Sequence, residues 1–96
     1  MSDTDTVEHE STESDAGAPT AVAVLTHIVK SIVDAPDAVT VESDDSGRRL
    51  TLNVHVADGD MGRVIGKRGR VAQSIRTVTR AAAVRDDVQI DIEFVD

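Results

Sequence analysis

Four residues, Gly66-Lys67-Arg68-Gly69, constrain this chain more than any other stretch. They lie between two segments of helical character and leave only two residues for the connection. Glycine reaches backbone angles closed to other residues and lets another backbone come close. Lys67 and Arg68, at the tip, have little room to turn inward, so their charges project. The amides that open the second segment carry the positive end of its helix dipole, a ready anion site. The chain must therefore bring two helices together at a tight, basic corner.

The flanks define the rest of the fold. After Gly69, Val71, Ile75, Val78 and Ala82 recur at helical spacing, with Arg76 and Arg80 one turn apart on another face. Before it, ADGDMGRVIG reads as a short helix weakened by its glycines. Asp58 and Asp60 fit there as start-of-helix charges that favour the dipole. Further upstream, Val22, Leu25, Val29 and Ile32, with Ile28 beside them, form the apolar face of an amphipathic helix. Thr20 is its candidate N-cap, and DAPD, Asp34 to Asp37, stops it. Val39 and Val41 alternate with Thr40 and Glu42 as a short strand, SDDSG (Ser43 to Gly47) is a turn, and Leu50, Leu52, Val54 and Val56 form a second strand in a hairpin with the first. Val88, Ile90, Ile92 and Phe94 alternate as a last strand, which places Phe94 in the core. The order is α-β-β-α-α-β, an α+β chain. Helices on one face of a three-stranded sheet would bury every apolar stripe.

Charge is unevenly placed. The formal net charge is -8, yet residues 61–85 hold seven basic side chains and no acid. Residues 1–20 hold six acids and no Lys or Arg. Local charge density decides what a surface attracts, so the basic block outweighs the total. Residues 1–19 have too few apolar side chains to offset the entropy of ordering and read as a disordered acidic tail. Its default role is solubilising; folding back over Lys67–Arg80 would instead make it a competitor of whatever anionic ligand that basic block attracts. Residues 20–96 then form one small domain whose single core is marginal, which leaves a partner or a homodimer open.

Several functions are excluded or disfavoured. There are no cysteines, so neither disulfides nor thiolate metal sites can help, and a reducing compartment fits. MSDTDTVEHE has no basic n-region and no apolar h-region, so no signal peptide is expected. AVAVL is too short to span a bilayer, and a cytoplasmic location is expected. A P-loop needs four residues between its glycines and then Lys-Ser or Lys-Thr; Gly62 and Gly66 enclose three, and Lys67 is followed by Arg68. The dinucleotide fingerprint fails at Lys67 and Arg68. His9, His27 and His55 are scattered, so no metal and no cofactor is expected, and no serine has a nucleophile's context. Asp91 and Glu93 share the polar face of the last strand and read as solvated acids. The expectation is a protein that is not an enzyme.

GRVIGKRGR followed by VAQSIRTVTRAAA, set in this order of elements, resembles the core of a K-homology (KH) domain. It is similar to the small bacterial single-KH proteins of the KhpA type, across roughly residues 20–96. The resemblance implies the type II KH fold and a clamp on about four nucleotides of single strand, held at the backbone by the glycine loop. It assigns backbone contact to Gly66, Lys67, Arg68 and Gly69, and an apolar groove for bases, with Ile65 and Val71 as candidates. Arg63 and Arg70 flank the loop and could extend the phosphate track. Arg76 and Arg80 read instead as solvated charge, or as partners of tail acids, Asp86 or Asp87. One departure stands out: many KH domains carry a large aliphatic residue three positions past the second glycine, where this chain has Ala72.

The resemblance also implies single-stranded RNA as partner, a role as RNA chaperone or post-transcriptional regulator, and association with a second KH-containing protein. The sole aromatic, Phe94, leaves no stacking platform of the kind worth roughly 1–3 kcal/mol per base. A rival reading is a protein-interaction module, a dimer half whose RNA contact is secondary. Single-stranded DNA is a further alternative.

Overall fold

The computed structural model describes residues 17–45 and 49–95. Helix α1, Pro19–Ile32, opens with proline at its first position, where the missing N–H has no intrahelical role. Ala21, Val22, Leu25 and Val29 form its buried face. The expectation that Thr20 caps α1 is corrected. Ala18 is the cap residue and is fully buried. The cap itself comes from far along the chain: the amides of Thr20 and Ala21 donate to the two carboxylate oxygens of Asp86 at 3.1 and 2.9 Å.

Strand β1, Thr40–Asp44, pairs antiparallel with β2, Leu50–His55, with Thr40 opposite His55 and Asp44 opposite Thr51. The hairpin is as expected, but β1 takes in Ser43 and Asp44, which the sequence suggested for the turn. Ser46 and Gly47 lie outside the described residues. After β2, a 3-10 turn at Asp58–Asp60 leads into the short helix α2, Met61–Ile65. Helix α3, Arg70–Ala83, follows, and then strand β3, Ile90–Val95. β3 runs parallel to β2, giving the order β1-β2-β3. A parallel neighbour requires a crossover, which α2, the glycine loop and α3 supply. Val56 and Val88 fall outside the strands but pack against the core.

The sheet buries one face. Val41, Leu52, Val54, Ile90 and Ile92 point into the helices, alongside Leu25, Val29 and Val64. This is the expected α+β arrangement, α-β-β-α-α-β with helices on one side of a three-stranded sheet. Residues 1–16, most of the stretch read as an acidic tail, lie outside the described residues.

Helix α3 departs from its expected register. Its buried residues are Ala72, Ile75, Thr79 and Ala83. Val71 and Ala82 are half-buried, and Val78 is 48% exposed. The expectation followed the largest apolar side chains. Close packing of the helix instead turns its small residues inward, and Ala72 is one of them. Thr79 is buried with them, and its hydroxyl has no hydrogen-bond partner.

Candidate nucleic-acid interface

The loop is built by three consecutive backbone decisions. The N–H of Gly66 donates to the Gly62 carbonyl at 2.9 Å and closes α2. Gly66 then turns out at φ 72°, ψ -172°. A Cβ there would lie 2.2 Å from Cγ2 of Val71, so Val71 packs directly on the glycine. Arg68 and Gly69 follow in the left-handed region, at φ 55° and φ 79°. Gly69 donates to the Gly66 carbonyl at 3.3 Å, and Arg70 to the Lys67 carbonyl. A Cβ on Gly69 would meet nothing within 4 Å, so that glycine serves the backbone angle alone.

This geometry leaves Lys67, Arg68 and Arg70 exposed around the N-terminus of α3. Among the described residues no side chain caps α3, and its first turn contains no acid. The amides at the start of a helix lack intrahelical partners. Elsewhere in the fold carboxylates meet that need. Asp86 serves α1, and Asp60 accepts from the amides of Asp34 and Ala35, at 3.0 Å each, ahead of the 3-10 turn at Pro36–Ala38. The start of α3 has no such carboxylate among the described residues and lies beside three exposed cations.

The other site candidates divide. Arg63 is engaged: its guanidinium lies 2.9 Å from Oδ2 of Asp34 and 3.4 Å from Oδ1 of Asp60. Val71 and Arg70 line an open cleft of about 310 Å³ between α1 and α3, together with Ile28, Ile32, Ser74, Ile75 and Val78. Ile65 is half-buried against the core and does not line that cleft. Arg76 differs from its expectation as a solvated or acid-paired side chain. It donates from Nε to the Ile92 carbonyl at 3.4 Å, and its guanidinium sits 5.2 Å from the centre of the Phe94 ring. Asp86 is unavailable to it, being held by α1. Phe94 is accordingly half-buried under a cation, at the rim of the core.

Asp60 and Asp86 were not legible as organisers of the fold. Asp60 is 3% exposed, and its carboxylate faces the α1–β1 connection, not the helix it precedes. Burial pushes the Asp86 carboxyl up, but the amide hydrogen bond from Ala21 and the bonds from Thr20 outweigh it, so its pKa is lowered. For Asp60 the spacing to Arg63 was a weak local sign; for Asp86 there was none. Among the described residues, no group of three His, Asp or Glu side chains could hold a metal, and no helix is long and apolar enough to cross a membrane.

The model of the KhpA/KhpB KH-domain family matches residues 22–94. This chain belongs to the KhpA/KhpB family of KH domains. Among curated family members, an RNA-binding protein KhpA from Clostridium acetobutylicum is 44% identical over 72 residues, covering 75% of this chain and 96% of its own. A KhpA from Leifsonia xyli is 47% identical over 68 residues, covering 71% and 90%. One from Listeria monocytogenes is 38% identical over 73 residues, covering 76% and 96%. These family members are named as RNA-binding proteins, not as enzymes. No solved structure gave a significant match to the chain.

Proposed function

We propose that this protein binds single-stranded RNA without chemical turnover, gripping the backbone at the loop Gly66-Lys67-Arg68-Gly69. The observation that carries the reading is the uncapped, acid-free start of α3 beneath Lys67, Arg68 and Arg70. A phosphate set there faces first-turn amides that carry no side-chain cap, meets the positive end of the helix dipole and is neutralised by the flanking cations. The glycines keep the approach open, and Val71 and Ile65 supply aliphatic contact for bases. Arg63 is a weaker candidate, because its charge is already matched by Asp34 and Asp60. The relatives' printed name, RNA-binding protein KhpA, agrees with this reading. A cytoplasmic role as RNA chaperone or post-transcriptional regulator is part of the same proposal.

The test is binding of a short labelled single-stranded RNA by the intact chain and by a Lys67→Asp/Arg68→Asp double variant. Both side chains are exposed, and aspartate tolerates the left-handed backbone of position 68 better than most residues, so the variant should fold. Circular dichroism checks that. Affinity should fall by at least roughly tenfold at 0.1 M salt as phosphate contacts are lost. Equal binding by the two proteins would sink the loop as the contact. A DNA strand of the same sequence, run alongside, separates RNA from single-stranded nucleic acid in general.

One observation favours a second reading. The cleft between α1 and α3 is lined almost wholly by aliphatic side chains and is open to solvent. A KH-containing partner or a second copy seated there would make the chain an interaction module whose RNA contact is secondary. That reading predicts an oligomer that survives the double substitution, read by sedimentation.

A further inference from the structure

We infer that the acidic segment, residues 1–16, docks in cis along the exposed cations of α3 and the loop, over Arg80, Arg70, Arg68 and Lys67. The inference starts from which cations the fold has left unmatched. Arg49 pairs with Asp91, Arg63 with Asp34 and Asp60, and Arg76 lies on Phe94 and the Ile92 carbonyl. Lys67, Arg68, Arg70 and Arg80 are exposed and have no carboxylate partner among the described residues. No acid lies between residues 61 and 85 to provide one.

The segment fits this row in charge and in reach. It carries Asp3, Asp5, Glu8, Glu10, Glu13 and Asp15, and no Lys or Arg. It joins the fold at Gly17, which lies against Leu50, just ahead of the α1 amides held by Asp86. Asp86 follows Arg80 by six residues, so the segment leaves the domain at the Arg80 end of α3. Arg70 lies about 15 Å farther along that helix, at ~1.5 Å per residue. An extended chain covers at most ~3.5 Å per residue. Glu13 and Asp15 thus reach Arg80, while Asp3 to Glu10 reach Arg70 and the loop. The tether makes the contact intramolecular and raises the effective concentration of the segment to the millimolar range. The same cations cannot hold phosphate and carboxylate together, so RNA must displace the segment. That competition, unlike the contact itself, rests on the RNA reading above.

The experiment compares three proteins: the full chain, a chain starting at Gly17, and a full chain with the six acids changed to Asn or Gln. The first readout needs no RNA: amide NMR shifts in 20 mM salt. Lys67 to Arg70 and Arg80 should shift between the full chain and each of the other two, and the differences should vanish by 0.5 M salt as contacts are screened. Changes confined to residues next to Gly17 would overturn the inference. Shifts that grow with protein concentration would place a second copy on the row and overturn it as well. The second readout is affinity for a labelled eight-nucleotide oligouridine. The truncated and neutralised chains should bind about three- to thirtyfold tighter than the full chain at low salt. A gain in affinity with no shift at the row would reflect long-range charge alone and overturn the docking. If no protein binds the strand while the row still shifts, the contact stands and the RNA reading fails.

Discussion

Gly66 and Gly69 look alike in the sequence, and the structure asks different things of them. Gly69 needs only its positive φ, so Gly69→Ala should cost about 1 kcal/mol, the penalty of a left-handed L-residue. Gly66→Ala adds a methyl group inside the Val71 side chain, which must move or leave its rotamer. We expect it to cost a further 1–3 kcal/mol, typical of overpacking, in urea denaturation. Equal losses at the two positions would mean that Val71 does not pack as described. Thr79 makes the opposite case. Its buried hydroxyl has no partner, so Thr79→Val keeps the shape, removes an unsatisfied polar atom and should raise stability by about 1 kcal/mol. The loop residues were legible because glycine and charge act where they stand. Thr79 was not, because a polar side chain on an α3 face beside Ile75 and Val78 gives no sign of pointing inward.

At the scale of elements, two carboxylates do what local capping residues were expected to do. Asp86 ties the end of the crossover to the start of α1, and Asp60 ties the start of the crossover to the end of α1. α1 is thereby pinned at both ends against the segment that carries the loop. Helix and strand existence was legible from apolar periodicity, which is a local property. These ties span 65–66 and 25–26 residues and leave no periodic trace. The face of α3 was misread for a related reason: side-chain size ranks apolar positions, whereas close approach selects small ones. The Asp86 tie has a pH signature. Its folded-state pKa lies below the unfolded value of ~3.9. Its contribution is therefore present above that value and lost as pH falls through the folded pKa. Unfolding free energy measured from pH 6 to pH 2.5 should fall more steeply in the unsubstituted protein than in Asp86→Asn. The variant should also be less stable at pH 6. Parallel curves would mean that the carboxylate is not held by the α1 amides.

At the scale of the whole molecule, net charge is a poor guide to what the surface binds. With the six acids of residues 1–20 set aside, the remainder still carries twelve acids against ten bases. A uniform body of that composition would repel RNA. The fold breaks the uniformity by matching some cations internally and leaving others together. Arg49, Arg63 and Arg76 are occupied by Asp91, by Asp34 and Asp60, and by Phe94 with the Ile92 carbonyl. Lys67, Arg68 and Arg70, together at the start of α3, are exposed and have no carboxylate partner among the described residues. At physiological salt the Debye length is about 8 Å, so a strand bound as proposed above would sense the loop and little beyond it. This fixes a number that composition could not. For a chain starting at Gly17, three neutralised phosphates at about -0.7 each give a log-log salt slope near -2. Affinity should level off once the strand exceeds about four nucleotides, the length that one such domain clamps. A salt series on oligouridines of two to twelve nucleotides reads both quantities. A slope several times steeper would require Arg49, Arg63 and Arg76 to leave their partners for phosphate. A slope near zero would remove the loop cations from binding altogether, and with them the account of why an acidic chain holds RNA.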